Sequence, residues 1–185
     1  GTPISIIAQN KNIREEDYSD IKNAYRPGHA DYTYELKYGI RDYFGGGRAS
    51  GRETLARVMA GAVAKKILLL QAKTGVFGHT IQVGDIKAKK FDTDYIFKNK
   101  SVIEKDPLRC LDQTSSKKMM KLIEQIRFRE GDSIGAVIEI IIKNPPKGLG
   151  EPVFDKLDAD LAKAMMGIGA VKGVEIGAGF KVAEM

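Results

Sequence analysis

Three consecutive glycines, Gly45, Gly46 and Gly47, stand directly before a segment that reads as a long helix. That junction restricts the backbone more than any other feature of the chain. A glycine run follows paths closed to other residues and leaves no side chain to hold an anion away from the amides. Ser50-Gly51-Arg52-Glu53 reads as a capping box, with serine at the N-cap and glutamate at N3. The first-turn amides and the positive end of the helix dipole then face the glycine turn. Arg48 and Arg52 add charge where the dipole already favours an anion, and the stretch just upstream contributes Arg26, His29 and Arg41.

Composition narrows the classes without choosing among them. The formal charge of +6, from 30 basic and 24 acidic residues, suits an anionic small molecule or weak nucleic-acid contact. The lysine runs at 87–90 and 117–118 have no aromatic residues interleaved at nucleic-acid-binding spacing, so they read as solvated faces. Cys110 is the only cysteine, which excludes an intramolecular disulfide and points to a reducing cytoplasm. Its neighbours Arg109, Leu111 and Asp112 include no histidine at nucleophile spacing, so a structural thiol is expected. No apolar run reaches membrane-spanning length, and no metal site is read from the sequence. A chain of 185 residues with 43% hydrophobic content is expected to form a single domain over 1–185.

Residues 2–9 read as a buried strand and 10–20 as a polar connection, followed by a loop-rich segment at 26–47. Across 51–70, Leu55, Val58, Met59, Ala62, Val63, Ile67 and Leu70 recur at helical spacing and predict a helix with one buried face. Residues 76–83 and 133–143 read as strands, the second well buried because its apolar run is nearly continuous. Between them lies a charged stretch, 85–109, with a turn at Asp106-Pro107. Residues 116–129 predict an amphipathic helix exposing Lys117, Lys118 and Lys121. Residues 154–166 predict a helix with Leu157, Leu161, Ala164 and Met165 inward, and 171–176 a closing strand. Strands and helices alternate without a dinucleotide-binding glycine fingerprint, so the fold class is α+β.

Each candidate has a plain alternative. His29 either exchanges a proton beside Arg26 or is a solvated loop histidine held structurally. Arg41, Arg48 and Arg52 either meet an anion or pair with Asp42, Glu53 or solvent. Ser50 can cap the helix and contact a ligand at once, because its hydroxyl and amide are separate groups. His79, in a strand-like run, reads as structural or exposed. Asp155, Lys156 and Asp158 read as the acidic start and solvated face of a helix.

The same residues carry a resemblance. The blocks RPGHAD (26–31), YGIRDY (38–43) and GGGRASGRET (45–54) occur in this order in chorismate synthases, whose signature is usually GGGR-[SA]-S-[AG]-R-E-T. The runs at 131–140, 148–168 and 169–180 are also similar to that family, so the likeness covers most of the chain. Phe44 replaces a commoner arginine, and Ala49 and Gly51 replace the commoner Ser and Ala. The resemblance implies a layered sandwich of helices on mainly antiparallel sheets. It implies elimination of phosphate from 5-enolpyruvylshikimate 3-phosphate to give chorismate, with reduced FMN that is not consumed and reducing equivalents from NADPH or an external reductase. It assigns His29 as the catalytic proton donor and Arg26, Ser50, Gly51 and Arg52 to the substrate. Arg48, Ala49, Ser50, Gly169 and Ala170 fall to the flavin, Gly169 standing where the family often has asparagine. Homotetramers, cytoplasmic location and the absence of nucleic-acid or membrane partners are further implications. The family's Gly-Glu-Ser-His-Gly and Arg-x-Asp-Pro-Cys strings do not occur here, which implies a central piece of a longer enzyme, inactive alone. The rival expectation is a non-catalytic core that binds phosphate or flavin, or serves assembly.

Overall fold

The computed structural model describes residues 1–11, 15–45 and 47–185. The chain divides into two compact units, one formed by 1–64 and 147–185, the other by 65–146.

In unit 65–146, β1 (Gly75–Val83) is the centre of a three-stranded sheet, flanked by β2 (Ile86–Lys87) and β3 (Ala136–Lys143). Both pairings are antiparallel: Val83 lies opposite Ile86 on β2, and Gly75 lies opposite Lys143 on β3. Helices α3 (Thr93–Lys98), α4 (Lys100–Lys105) and α5 (Gln113–Gln125) complete the unit. One apolar cluster joins Phe77, Ile96, Ile103 and Leu111, and a second joins Val83, Cys110 and Met119. Full burial of side chains such as Ile96, Ile103 and Met119 contributes about 1.5–3 kcal/mol each.

Carboxylates fix the turns around this core. Asp106 accepts from the amides of Leu108 and Cys110, each at 3.0 Å, and from Ser116 Oγ at 2.7 Å. The Arg109 amide closes the Asp106-Pro107 turn on the Asp106 carbonyl at 2.9 Å. Asp112 caps α5 by accepting from the amides of Thr114 and Ser115. Burial alone would raise its pKa, but hydrogen bonds from the Lys89 amide and from Ser115 and Thr114 outweigh burial and lower it.

The other unit contains α1 (Asp31–Tyr38), the first part of α2 (Arg52–Ala72) and α6 (Leu157–Met166). Gly39 ends α1 in the left-handed region at φ 72°, its amide donating to the Glu35 carbonyl at 2.8 Å.

Several expectations need correction. Residues 2–9 form no strand, and Ile4 and Ile7 are exposed. Residues 171–176 form none either. Strand propensity describes a fit to a pleated, half-buried surface, and among the described residues neither segment has a pairing partner. Part of the polar connection, 12–14, lies outside the described residues. The α2 helix forms as predicted, but Leu55, Val58, Ile67 and Leu70 are exposed, with Met59 and Val63 only half-buried. On β3, Ile138 is 65% exposed and Val137 and Ile140 are exposed too, because side chains point to the sheet faces and, among the described residues, no layer covers this part of the strand. On α6, Leu157 and Ala164 are exposed while Leu161 and Met165 are half-buried. The charged stretch at 85–109 holds β2, α3 and α4.

Candidate active site

Arg26-Pro27-Gly28-His29 forms a β-turn closed by the His29 amide on the Arg26 carbonyl at 3.2 Å. Proline presets the second position, and Gly28, at φ 71°, takes the left-handed third. The turn delivers Arg26 and His29 to Asp31, the first residue of α1, where the helix dipole favours a negative charge. Asp31 is 2% exposed. Arg26 grips its carboxylate with two nitrogens, Nε to Oδ2 at 2.7 Å and Nη2 to Oδ1 at 2.8 Å. The Arg26 amide reaches Oδ2 at 3.3 Å, and His29 Nδ1 lies 2.9 Å from Oδ1. These four contacts occupy the roughly four acceptor positions a carboxylate offers.

Arg41 approaches the same carboxylate from the end of α1. Its Nη1 is 3.5 Å from Oδ2, and its Nε is 3.2 Å from Glu35 Oε2. Its Nη2 donates to the carbonyls of Ile21 and Lys22, and the guanidinium lies 5.0 Å over the Tyr25 ring. Nη1 is buried without a hydrogen bond, which follows from the four contacts already on Asp31. The Arg26 guanidinium holds the Asp31 carboxyl far below the usual range against the opposing effect of burial, and Asp31 raises Arg26 in return. Arg41 pairs with Asp31 and Glu35, not with Asp42.

In the glycine loop, Gly45 stands at φ 90° and its amide donates to the Tyr43 carbonyl at 2.9 Å. A side chain at position 45 would run into the Arg52 guanidinium, whose Nη2 donates to the Phe44 carbonyl at 2.9 Å. Gly46 lies outside the described residues. Residues 47–49 make one tight turn, and the Ser50 amide closes it on the Gly47 carbonyl. Ser50 Oγ accepts from the Arg52 amide at 3.2 Å and from Arg52 Nε at 3.3 Å, so the hydroxyl caps the start of α2. The expected reciprocal half of the capping box is replaced. Glu53 turns instead to Arg48, whose Nη1 meets Oε1 at 2.8 Å and Oε2 at 2.6 Å. This exposed pair raises the Arg48 pKa through its hydrogen bond to Glu53. The Ser50 amide is already taken by the Gly47 carbonyl, and Arg48 offers Glu53 a charge-assisted bond, the stronger contact.

Beside this loop lies an open groove of about 680 Å³. Ile6, Ile7, Leu55 and Met59 give it an apolar lining, and Gln9, Asn10, Arg52 and Glu53 a polar one. Small-molecule sites typically hold about 300–1,000 Å³ with such a mixture of apolar lining and few polar groups. Tyr18 and Asp42 lie between the two clusters. Both raise Arg26 electrostatically, while the Tyr18 ring is 5.9 Å from Phe44 and Asp42 lies beside Gly47. Arg26, His29, Arg48, Ala49, Ser50, Gly51 and Arg52 thus belong to one neighbourhood of one unit. Gly169 and Ala170 follow α6 in a turn, Ala170 at φ 67°, and neither is among the described residues lining the groove.

The sequence reading missed Asp31 as the centre of the site. The available signal was an acid five residues beyond Arg26, across a Pro-Gly turn, at the start of a helix. The remaining candidates sit in unit 65–146. His79 is buried on β1 opposite Glu139 of β3, with Nε2 3.0 Å from Oε2. Cys110 is fully buried, and burial pushes its thiol pKa up. Among the described residues, no cluster of His, Cys, Asp and Glu is placed to hold a metal ion, and no helix is long and apolar enough to cross a membrane.

The fold and this constellation define an α+β protein with an arginine-rich, histidine-bearing cluster beside a glycine loop. The family model for chorismate synthase matches residues 1–185. The chorismate synthase of Methanosarcina mazei is 51% identical over 185 residues, covering 100% of this chain and 49% of that protein. That of Desulfatibacillum aliphaticivorans is 49% identical with the same coverage. A crystal structure of a chorismate synthase superposes with a TM-score of 0.73 at 32% identity, covering 84% of this chain and 49% of the other. The chain belongs to the chorismate synthase family and spans about half the length of the curated relatives it matches.

Proposed function

We propose that this chain is the central part of a chorismate synthase that eliminates phosphate from 5-enolpyruvylshikimate 3-phosphate, supplying chorismate for aromatic amino acid biosynthesis in the cytoplasm. The C–O bond to phosphate breaks with its electron pair on phosphate, and a ring hydrogen leaves, overall as a proton, while its bonding pair completes the new double bond, so there is no net redox change. Reduced FMN, kept reduced by NADPH or an external reductase, supplies transient electron density to the ring when bound. The single observation that carries this reading is the Arg26–His29 pair held on buried Asp31 beside the arginine-flanked glycine loop.

Each group has a task set by its position. Arg26 and Arg52 meet the anionic groups of the substrate, with the amides of Ser50 and Gly51 adding neutral donors at the helix start. His29 donates a proton where negative charge develops. Arg48, Ala49 and Ser50 hold the flavin, with Gly169 and Ala170 against it. The groove beside them suits a flat, partly apolar ring carrying an anionic tail, because its lining combines apolar side chains with Arg52, while Glu53 in the same lining is paired with Arg48. We further propose that the whole enzyme is a homotetramer without nucleic-acid or membrane partners, and that 1–185 alone turns over little or no substrate.

Flavin titration of the full-length protein tests the reading. Reduced FMN is expected to bind more tightly when the phosphorylated substrate is present. Flavin affinity indifferent to substrate would favour the rival, a non-catalytic binding or assembly core.

A further inference from the structure

A histidine ring offers two nitrogens, and which one carries the proton depends on what faces the other. Here Nδ1 faces Asp31 Oδ1 at 2.9 Å, while among the described residues nothing partners Nε2. His29 is 23% exposed at its side chain, against 2% for Asp31. An ionised carboxylate only accepts hydrogen bonds, so the hydrogen between the two groups belongs to Nδ1. Asp31 is kept ionised by its surroundings: the two-nitrogen grip of Arg26, the Arg26 amide, and Arg41 Nη1 at 3.5 Å. Glu35 and Tyr25 steady Arg41, and Tyr18 and Asp42 bear on Arg26.

We infer that Asp31 is a positioning residue that keeps a hydrogen on Nδ1 of His29, so that the doubly protonated ring gives up its proton from Nε2 and is left as the neutral Nδ1–H form. The inference rests on the proposed proton-donor role of His29, yet the tautomer itself is observable without turnover. Arg41 gives the arrangement a reserve. When Arg26 turns part of its guanidinium to an anionic substrate, the buried, unbonded Nη1 of Arg41 is the nearest donor to take up the acceptor position released on Oδ2. Asp31 then stays charged and His29 stays aligned while substrate docks.

Two-bond proton–nitrogen correlation spectra of the 15N-labelled 185-residue chain, recorded at alkaline pH, read the tautomer directly. The chain has only two histidines, so comparison with His29→Gln assigns the signals. The expected pattern for His29 is the Nδ1–H form. Asp31→Asn, whose amide points a donor at the ring once Arg26 claims its oxygen, is expected to move His29 to the Nε2–H form. An Nε2–H pattern in the unaltered chain overturns the inference, and that spectrum does not depend on the variant folding. In the full-length protein, Asp31→Asn is expected to slow single turnover about a hundredfold at saturating ligands. Asp31→Glu is expected to recover part of that loss. A normal rate for Asp31→Asn alongside a slow His29→Ala overturns the positioning role alone; a normal rate for His29→Ala overturns the functional reading instead.

Discussion

Unit 65–146 buries the apolar Phe77, Val83, Ile96, Ile103, Cys110, Leu111 and Met119 beside a smaller polar set that includes His79, Asp106 and Asp112, whereas in the unit of 1–64 and 147–185 the one described residue that is buried is Asp31. Apolar burial stabilises regardless of protonation state, and the buried carboxylates of that unit, Asp106 and Asp112, are taken up in fixing a turn and capping α5. A desolvated charge must be matched by partners in fixed geometry, so the second unit is organised by hydrogen bonds to Asp31 from Arg26 and His29, with Arg41 close by. One unit is held mainly by apolar burial, the other around a single desolvated charge.

The largest effect expected from breaking this division lies at His29. His29→Ala in the full-length protein is expected to cut the single-turnover rate with prereduced FMN by about a hundredfold to ten-thousandfold, with little change in melting temperature. A normal rate with a lowered melting temperature would reduce His29 to a loop support. In the apolar unit, Met119→Ala is expected to cost about 2–5 kcal/mol by denaturant titration, as a large-to-small change in a closed core does. Val58→Ala, on the exposed side of α2, is expected to fall within about 0.5 kcal/mol. Equal costs at the two positions would mean that the α2 face is covered in solution, and the contrast would collapse.

Acid sharpens the comparison further. The folded-state pKa of Asp31 lies below its unfolded value of about 3.9, so on acidification the unfolded chain takes up protons first. The stability that Asp31 contributes is therefore complete above roughly pH 5 and drains as pH falls toward the folded value. Hydrogen exchange of α1 amides is expected to accelerate over that range before β1 amides do. Asp31→Asn is expected to abolish the difference in pH dependence. The smallest effect is assigned to Arg48→Ala, which removes an exposed pair. Unfolding should be unchanged and affinity for reduced FMN lowered, as read by flavin fluorescence titration; unchanged affinity would make Arg48 a solvated side chain.

Much of the fold was legible because it is local. The helical spacing of Leu55, Met59 and Val63 specifies α2, and Asp106-Pro107 specifies its turn whatever surrounds it. Burial was less legible because it depends on neighbours. The apolar runs at 2–9 and on β3 look like core strands, yet periodicity cannot say whether another segment covers them. At the site, the glycines, Arg48, Arg52 and His29 stand out by type and spacing. Asp31 does not, since a single acid at a helix start is ordinary until the Pro-Gly turn brings Arg26 and His29 onto it.

The Arg48–Glu53 contact changes how an anion can enter. Both carboxylate oxygens already sit on Arg48 Nη1, so an incoming phosphate displaces a resident counter-ion and does not meet a bare cation. If an anion docks on Arg48 as proposed, the loop exchanges one counter-ion for another. Salt screens the outgoing pair as well as the incoming one, and binding through Arg48 should depend on ionic strength less steeply than binding to an unpaired arginine. The released Glu53 is not stranded, because it lies in the first turn of α2, where the helix dipole accommodates its charge.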